Sequence, residues 1–517
     1  MDKNNKKTRS IIVVGGGSAG WITAGRIAAK HKSNQASGIQ ITLIESPEIS
    51  TIGVGEGTWP TMRNTLKQIG ISETDFLREC NATFKQGAKF AKWVTGAEND
   101  FYYHPLTLPQ GFVHTNLAPY WQSSQTPDQS FSNSVCFQEQ LCENGLAPKH
   151  ITTPEYDSVA NYAYHLDANK FSAFLKKHCT EKLGVKYISD DVVSVNVAKN
   201  EDIESVVTKL NGTFAADLFV DCTGFSSLLL GKHYQVPFID KSDVLFIDKA
   251  LAVQVPYASE NTPIASHTLS TGQEAGWIWD IGLTERRGVG YVYSSQHISL
   301  DQAEQCLAEY VGPQIVDLNL RSLSIRSGHR AKFWHKNCVA VGLSAGFLEP
   351  LEASALMLIE LSAEMISEQL PANRQVMDTI AKRFNETFLY RWEKIIEFLK
   401  LHYVLSQRTE PFWQDNRNSQ SIPDGLQEML DYWKYHPPAD HDFSSNNEVF
   451  PAASYQYVLY GMGFKTDTSL FQHLYTDPEK AEHQFTLNQH NIARALKSLP
   501  SNRALLDKVN QYGFSAL

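Results

Sequence analysis

A glycine-rich turn between a short strand and a helix, near the beginning of the chain, restricts the fold more than any other segment. Residues 11–14, Ile-Ile-Val-Val, are β-branched and apolar, which is typical of a buried parallel strand. Residues 15–20, Gly-Gly-Gly-Ser-Ala-Gly, follow directly, and residues 21–29 predict a helix. A second strand at residues 39–44 completes a βαβ unit. The sequence therefore predicts an α/β protein that contains a Rossmann-like domain.

The composition of this turn predicts that the domain binds a dinucleotide. Glycines at the spacing G-x-G-x-x-G let the backbone approach a pyrophosphate, which then lies at the start of the helix. Glu45, at the end of the second strand, is placed to accept a hydrogen bond from the adenosine ribose. The predicted nucleotide-binding residues of this unit are Gly15, Gly17, Ser18, Ala19, Gly20 and Glu45.

Two later strands are followed by glycine, as the first strand is. Residues 218–220 lead to Asp221 and Gly224, and residues 338–341 lead to Gly342. Strands of this kind at scattered positions predict a discontinuous nucleotide-binding domain, with other segments inserted between its parts.

The chain is too long for one compact core, and its pattern changes along its length. We expect a discontinuous domain over residues 8–370, with inserted substrate-pocket segments at about residues 95–160. From about residue 356 the apolar residues recur at helical spacing, which predicts a mostly helical capping region over residues 371–517. Residues 414–420 are polar and predict a loop.

The composition excludes several classes of partner. The formal net charge is -10, whereas neutralising the phosphates of a nucleic acid needs a basic surface. No apolar run approaches the roughly 20 residues of a membrane-spanning helix. Seven cysteines, without disulfide-like or metal-like spacing, predict reduced thiols, no bound metal and a cytoplasmic location.

Residues 276–282, Gly-Trp-Ile-Trp-Asp-Ile-Gly, contain two tryptophans two positions apart. In a strand, Trp277 and Trp279 would point to the same side, where two large rings would form an apolar wall. Two other segments carry reactive side chains. Residues 80–93 contain Lys85 and Lys89, and residues 346–355 read Gly-Phe-Leu-Glu-Pro-Leu-Glu-Ala-Ser-Ala.

Together these segments resemble the flavin-dependent (tryptophan) halogenases, and the resemblance covers roughly residues 10–410. The family signature at the tryptophans is Trp-x-Trp-x-Ile-Pro, and here Gly282 stands in place of the proline. The family also has an essential lysine after an Asn-x-x-aromatic pattern, which is Lys85 here. Its Glu-Pro-Leu-Glu-Ser-Thr segment matches residues 349–354 in part, because Ala353 and Ser354 replace the last two residues.

The resemblance implies an FAD-binding, flavoprotein monooxygenase-type fold and a reaction of FADH2, O2 and chloride or bromide. Hypohalous acid formed in this reaction would halogenate an electron-rich aromatic, with indole or tryptophan as the first candidates. Lys85 would activate the halogen, and Glu352 would orient and deprotonate the aromatic. The resemblance also assigns supporting residues: flavin contacts at Asp221, Gly224, Trp277, Trp279 and Gly342, halide contacts at Ser354 and Ala355, and a substrate contact at His104. Residues 53–60 resemble the family's loop between the flavin and substrate compartments.

The chemistry of the lysine leaves two forms open. Its ammonium can donate a hydrogen bond to hypohalous acid, and its amine can instead form a haloamine, which burial favours. Lys89 is the second candidate, because it would share a face with Lys85 if this segment were helical. Glycine at position 282 is expected to loosen the chain after the strand, because it lacks the rigidity of proline.

The chain shows no second glycine fingerprint for NADPH, so reduced flavin is expected from a separate NAD(P)H-dependent flavin reductase. The other expected partner is a small aromatic substrate, and a homodimer is possible. Two alternatives stay open. A flavin monooxygenase that hydroxylates aromatics usually carries an arginine that residues 223–230 lack. A flavin-binding protein without halogenating activity would account for the changes at Gly282 and Ala353.

Overall fold

The computed structural model describes residues 7–48, 55–123, 129–445 and 448–515. The chain divides into two compact units. Unit 1 comprises residues 1–82, 166–241 and 326–392, and unit 2 comprises residues 83–165, 242–325 and 393–517. The boundary expected between residues 370 and 371 falls inside unit 1. The last crossing between the units falls inside the long helix Arg374–Val404.

Unit 1 contains the predicted parallel sheet. Its six strands lie in the order Trp334–His335, Cys338–Ala340, Leu218–Asp221, Ser10–Val14, Gln40–Glu45 and Lys186–Ser189. All neighbouring strands are parallel except the first two, which are antiparallel. Val13 lies opposite Leu43 on one side and Val220 on the other, so the first strand is central. A central strand is buried on both faces, which explains its continuous β-branched run.

Helices and two small antiparallel sheets complete unit 1. The helices are Ser18–Lys30, Thr61–Ile69, Glu73–Glu79, Ala168–Glu181 and Ser354–Glu368. The small sheets are formed by Val192–Val197, Ile203–Thr208 and Gly212–Ala215, and by Phe238–Asp240, Gly328–Arg330 and Gly346–Phe347. One apolar core joins the parallel sheet to the first small sheet, with Ile12, Phe219 and Val206 among its buried side chains. The predicted Rossmann-like fold is confirmed.

Unit 2 is built on a seven-stranded sheet. Its strands lie in the order Arg321–Ser324, Lys249–Pro256, Arg286–Tyr293, Gly276–Gly282, Thr268–Gln273, Gly87–Ala91 and Phe101–Pro105. One pair, Thr268–Gln273 with Gly87–Ala91, is parallel, and the others are antiparallel. A separate antiparallel pair joins Thr83–Lys85 to Ala163–Leu166. The tryptophan segment is therefore a strand, as predicted.

Unit 2 also contains helices, some of which pack around an aromatic core. They are Ala118–Ser123, Phe131–Val135, Gln138–Glu143, Leu300–Val311, Pro411–Asn416, Asp424–Trp433, Ala452–Gly461, Pro478–Ser498 and Asn502–Tyr512. Phe131, Tyr457 and Tyr460 are buried together in this core. Among the described residues beyond Phe347 no strand occurs, so the prediction of a helical C-terminal region is confirmed.

One local prediction is wrong. Residues 414–420 were expected to form a loop, but the helix Pro411–Asn416 and a 3-10 turn at Ser419–Ser421 occupy most of this segment. Proline at the first helical position starts the helix, and Phe412 and Trp413 bury their rings on its inner side. Tertiary burial of two aromatic rings thus overrides the polar local sequence. Within the described residues, no helix is long and apolar enough to cross a membrane.

Candidate active site

In unit 1 the glycine turn is tightly packed at both ends and open in the middle. A Cβ atom on Gly15 would lie 2.1 Å from the carbonyl oxygen of Cys222, and one on Gly20 would lie 1.9 Å from that of Gly15. A Cβ on Gly17 would meet no atom of the described residues within 4 Å, although Gly17 is the N-cap of the helix Ser18–Lys30. Gly17 has no side chain with which to cap this helix start. The arrangement leaves room for an anionic group at the helix N-terminus, which favours negative charge.

Glu45 lies against the same turn. A Cβ on Gly16 would be 2.2 Å from the Glu45 carboxyl carbon, so a larger residue there would displace this side chain. Lys176 donates to the Glu45 carboxylate over 3.0 Å, and its ammonium lies 3.6 Å from the ring centre of Tyr187. The structure therefore holds the predicted ribose acceptor in place through a lysine that the sequence analysis did not identify.

Asp221 organises the second glycine-containing loop. Its fully buried carboxylate accepts hydrogen bonds from the backbone of Thr223, Leu229 and Leu230, and from the Thr223 hydroxyl. The Ser344 hydroxyl also donates to the Asp221 carbonyl. Asp221 thus fixes the backbone around Gly224, whose φ of +65° lies in the left-handed region that favours glycine. A direct flavin contact by Asp221 stays a prediction.

Three residues predicted from two separate motifs line one cavity of unit 1. Gly342, Ser354 and Ala355 border an apolar cavity of about 50 Å³, together with the rings of Phe384 and Phe388. A Cβ on Gly342 would lie 2.8 Å from that of Ala19, so this loop also adjoins the start of the first helix. The glycine turn, the Gly342 loop and the start of the helix Ser354–Glu368 are therefore neighbours.

The Glu352 segment forms a strained turn. Glu352 and Ala353 have φ of 61° and 53°, in the left-handed region that costs a non-glycine residue roughly 1–2 kcal/mol. The indole nitrogen of Trp59 donates to the Glu352 carbonyl over 2.6 Å and holds the turn. Strain of this kind is often found at functional sites. Trp59 belongs to the segment 53–60, of which Gly53 and Val54 lie outside the described residues.

In unit 2, Lys85 lies on a short antiparallel pair that we call the lysine ladder, formed by Thr83–Lys85 and Ala163–Leu166. Thr83 is opposite His165, and Lys85 is opposite Ala163. Because side chains alternate along a strand and opposed residues share a face, Thr83, Lys85 and His165 lie on the same face. Only 2% of Lys85 is exposed, so its amine lies in a largely dry environment.

The lysine ladder is joined to the end of the tryptophan strand. The Thr83 hydroxyl donates to the Gly282 carbonyl over 2.5 Å. Gly282 is the last residue of the strand Gly276–Gly282, and a Cβ there would lie 2.9 Å from a methyl carbon of Ile264. Gly282 is held by a hydrogen bond and by close packing, and the loosening expected from glycine at this position stays a prediction.

The two tryptophans of this strand have different environments. Trp277 is 1% exposed, and its ring centre lies 5.9 Å from that of Trp93 in the unit 2 core. Trp279 is half-buried, and its ring covers Gly290, where a Cβ would come within 2.0 Å. Both side chains lie on one side of the strand, as the spacing predicts. Their proximity to a flavin stays a prediction.

Lys89 is engaged elsewhere in unit 2. Lys89 would share a face with Lys85 only if the segment were helical, and this condition is not met, because Thr83–Lys85 and Gly87–Ala91 are two separate strands. The Lys89 ammonium lies 2.5 Å from a carboxylate oxygen of Glu143 and 4.2 Å from the ring centre of Phe101. Burial raises the pKa of Glu143, but hydrogen bonds from Lys89 and Tyr103 outweigh it and leave the pKa below its usual value. Lys89 thus belongs to a structural ion pair.

His104 is buried in the strand Phe101–Pro105 of unit 2. Its Nε2 atom lies 2.9 Å from the Ser454 hydroxyl, on the helix Ala452–Gly461. On this helix Tyr457 donates to the Thr107 carbonyl over 2.9 Å. The aromatic residues of the helix are therefore part of the core. A substrate contact by His104 stays a prediction.

The sequence matches the tryptophan halogenase family over residues 10–475. The chain belongs to this family. The halogenase is 33% identical to 7-chloro-L-tryptophan 6-halogenase KtzR of Kutzneria sp. (strain 744), over 96% of this chain and 99% of the relative. It is 32% identical to tryptophan 7-halogenase RebH of Lentzea aerocolonigenes, over 96% of this chain and 97% of the relative. A crystal structure of tryptophan halogenase from Shewanella frigidimarina NCIMB 400 is 51% identical, with a TM-score of 0.96 and complete coverage of both chains.

Membership of this family makes the chain an enzyme, a flavin-dependent halogenase. Membership does not favour the two alternatives that the sequence left open, an aromatic hydroxylase and a flavin-binding protein without halogenating activity. The residues of unit 1 fit the flavin nucleotide, because Gly17 provides open space at a helix start and Glu45 is fixed beside the turn. The halogenase thus has a site suited to the pyrophosphate and ribose of FAD.

The sequence analysis missed several residues that support these sites. Lys176 fixes Glu45, Ser344 fixes the Asp221 loop, and Thr83 joins the lysine ladder to the tryptophan strand. Of these three residues, only Thr83 could have been identified from the sequence. It stands two residues before Lys85, and in a strand that spacing places both on one face. The contacts of Lys176 and Ser344 link residues more than 100 positions apart.

Proposed function

We propose that this halogenase uses FADH2, O2 and chloride or bromide to halogenate tryptophan or a closely related indole. The balanced reaction converts Ar–H, a halide ion, O2, FADH2 and one proton into Ar–X, FAD and two molecules of water. The observation that carries the proposal is the placement of Lys85, whose amine is almost fully buried on the lysine ladder. Thr83, on the same strand, donates a hydrogen bond to the end of the tryptophan strand.

The cofactor part of the proposal rests on unit 1. Gly15, Gly17 and Gly20, with Ser18 and Ala19, would hold the FAD pyrophosphate, and Glu45 would accept from the ribose. When bound, reduced flavin supplies the electrons with which O2 converts halide into hypohalous acid. Ser354 and Ala355 are the first two residues of a 15-residue helix, and their backbone N–H groups would bind the halide ion. The start of a helix favours an anion. These two residues also border the apolar cavity, where little water competes for the ion.

Lys85 is proposed to activate the halogen. Its ammonium would donate a hydrogen bond to hypohalous acid and polarise the oxygen–halogen bond, and its amine could instead carry the halogen as a haloamine. A lysine with 2% exposure cannot exchange freely with bulk solvent, so the activated halogen is protected from water. This protection favours transfer to the substrate over release.

Glu352 is proposed to orient the aromatic ring and to accept the proton that leaves it after halogen addition. Its position supports this role, because the turn is held by Trp59 and the residue is only 7% exposed. His104 is the proposed substrate contact in unit 2. We further propose a separate NAD(P)H-dependent flavin reductase as partner and the reducing cytoplasm as location, where seven thiols stay reduced.

The proposal is tested by incubating the protein with FAD, a flavin reductase, NADH and O2, with bromide or chloride in separate reactions. Tryptophan and indole serve as substrates, and mass spectrometry detects the isotope pattern of a halogenated product. Chromatography against authentic standards then assigns the ring position, on which the relatives KtzR and RebH differ by name. A Glu352→Gln variant, which keeps the size of the side chain but removes its charge, runs beside the wild type.

We expect a halogenated indole from the wild type and a loss of at least about 100-fold in the Glu352→Gln variant, the usual contribution of a general base. Reduced flavin should still be oxidised by this variant. A product that gains oxygen instead of halogen would contradict the proposed reaction. Undiminished halogenation by Glu352→Gln would contradict the role of the carboxylate.

A further inference from the structure

His165 lies beside Lys85 on the lysine ladder of unit 2. It is opposite Thr83 in the antiparallel pair, and Lys85 is two residues further along the same face. Such diagonal neighbours have Cβ atoms about 7 Å apart or less, within reach of a long side chain. His165 is 0% exposed, and Lys85 is 2% exposed. Two polar side chains are thus enclosed together, next to the bond between Thr83 and Gly282.

The ring of His165 is anchored from the seven-stranded sheet. Its Nε2 atom lies 2.8 Å from the hydroxyl of Thr268, the first residue of the strand Thr268–Gln273. The Nδ1 atom is buried and has no hydrogen-bond partner among the described residues. Leaving a buried polar atom unsatisfied is costly, so the position of this nitrogen needs an explanation. The register places the Lys85 side chain on the same face, and its charge acts on the His165 ring.

Electrostatics keeps this ring neutral. Burial lowers the pKa of His165 well below its usual value, and the nearby charges of Lys85 and His267 lower it further. A neutral imidazole can stabilise an adjacent ammonium through its dipole, whereas an imidazolium would repel it. His165 therefore adds polarity beside Lys85 without adding charge.

We propose that His165 is a positioning residue for Lys85: anchored by Thr268, it provides the neutral polar neighbour that holds the amine along this face of the ladder. This inference rests on the proposed role of Lys85 in halogen transfer. Without His165 the position of the Lys85 amine would be less restricted. More of the activated halogen would then escape to solvent. The halogenated product formed per O2 consumed would then fall, while O2 consumption itself would continue.

The variants are chosen to separate polarity from bulk. His165→Leu replaces the ring by an apolar side chain of similar size and so removes both ring nitrogens. His165→Gln keeps a polar atom that can reach the Thr268 hydroxyl. Thr268→Val removes the anchor with little change in shape. Each variant is assayed for halogenated product, for O2 uptake and for hypohalous acid in solution, the last with a chromogenic scavenger.

We expect His165→Leu to lower the product per O2 by roughly tenfold, a change in keeping with the loss of one buried polar contact, and to raise the scavenged acid. O2 uptake should stay within about twofold, and His165→Gln should restore most of the yield. Thr268→Val should lower the yield in the same direction, and the double variant should be no worse than His165→Leu alone, because both changes act on one contact. An unchanged yield in His165→Leu, or independent losses that multiply in the double variant, would overturn the proposal.

A second readout does not need turnover. The wild type and the variants are treated with formaldehyde and a mild reductant, and mass spectrometry follows methylation of Lys85 relative to Lys89. Lys89 is an internal control, because its ion pair with Glu143 does not involve the lysine ladder. His165→Leu should change the Lys85-to-Lys89 ratio about fivefold or more, and His165→Gln should change it little. An unchanged ratio would refute the positioning role even if the protein proved not to halogenate, whereas a wild type without product would count against the proposed function alone.

Discussion

The Thr83 hydroxyl donates a hydrogen bond to the backbone carbonyl of Gly282 over 2.5 Å. This contact joins the strand that ends at Lys85 to the strand that carries both tryptophans of the signature segment. Thr83 is fully buried, so the hydroxyl has no competing water. The bond fixes the register of the lysine ladder against the end of the tryptophan strand.

A Thr83→Val substitution should therefore weaken halogenation without unfolding the protein. Valine has nearly the same shape but cannot donate, so the Gly282 carbonyl would lose its partner at a cost of about 0.5–1.5 kcal/mol. We expect the rate of product formation to fall about threefold to tenfold. Thr83→Ser keeps the hydroxyl and serves as the control. Equal losses in the valine and serine variants would show that packing, rather than the hydrogen bond, is responsible.

The two lysines of this region should respond differently to truncation. Lys85→Ala removes the amine proposed to activate the halogen, and we expect product formation to fall at least about 100-fold while FAD affinity is unchanged. Lys89→Ala breaks an ion pair with Glu143, so it should affect stability more than catalysis. Product formation and FAD binding are measured for both variants. Normal turnover by Lys85→Ala would refute its role.

Gly17 offers a direct test of the dinucleotide site. A methyl group at this position meets nothing within 4 Å in the part of the chain that the structure describes, so Gly17→Ala should leave the melting temperature unchanged. It would nevertheless stand where the pyrophosphate approaches the helix start, and we expect the Kd for FAD to rise about tenfold or more. Gly20→Ala is the contrasting variant. Its Cβ would lie 1.9 Å from the Gly15 carbonyl, so stability itself should fall. Unchanged FAD affinity in Gly17→Ala would place the pyrophosphate elsewhere.

A buried carboxyl in unit 1 predicts the pH dependence of stability. Burial raises the pKa of Glu360 to about 8, although Thr65 and Thr61 donate to its oxygens. An exposed glutamate has a pKa near 4.3, so between about pH 4.3 and 8 the folded state holds a proton that the unfolded state has lost. The contribution of Glu360 to stability therefore falls as the pH rises through this window.

Glu360→Gln removes the titration but keeps the shape and the capacity to accept a hydrogen bond. Its melting temperature relative to that of the wild type should increase from about pH 5 to about pH 8.5. Thermal unfolding at several pH values, followed by circular dichroism, measures this difference. Parallel curves for the two proteins would contradict the raised pKa of Glu360.

Local features of the sequence were sufficient to predict the nucleotide-binding half of the fold. The first strand, the glycine turn and the first helix depend on β-branched residues, glycine spacing and helical periodicity within about 35 residues. Such patterns are local, so the structure reproduces them as Ser10–Val14, Ser18–Lys30 and Gln40–Glu45. The tryptophan strand was predictable for the same reason.

The segment around Lys85 was harder to predict. Its sequence allowed a helix, and in a helix Lys85 and Lys89 would have shared a face. Pairing with Ala163–Leu166 made it a strand, and this partner lies about 80 residues away in the chain. Strand pairing depends on such distant partners, which local propensity does not report.

The sequence by itself determined the family, the α/β class and the identity of the candidate residues, because these are properties of short motifs in a fixed order. Only the tertiary structure decided how those residues are supported. It brought Lys176 to Glu45, Trp59 to the Glu352 turn, and His165 to Lys85. These contacts arise when distant segments pack together and their polar groups must find partners away from water, which no local pattern specifies.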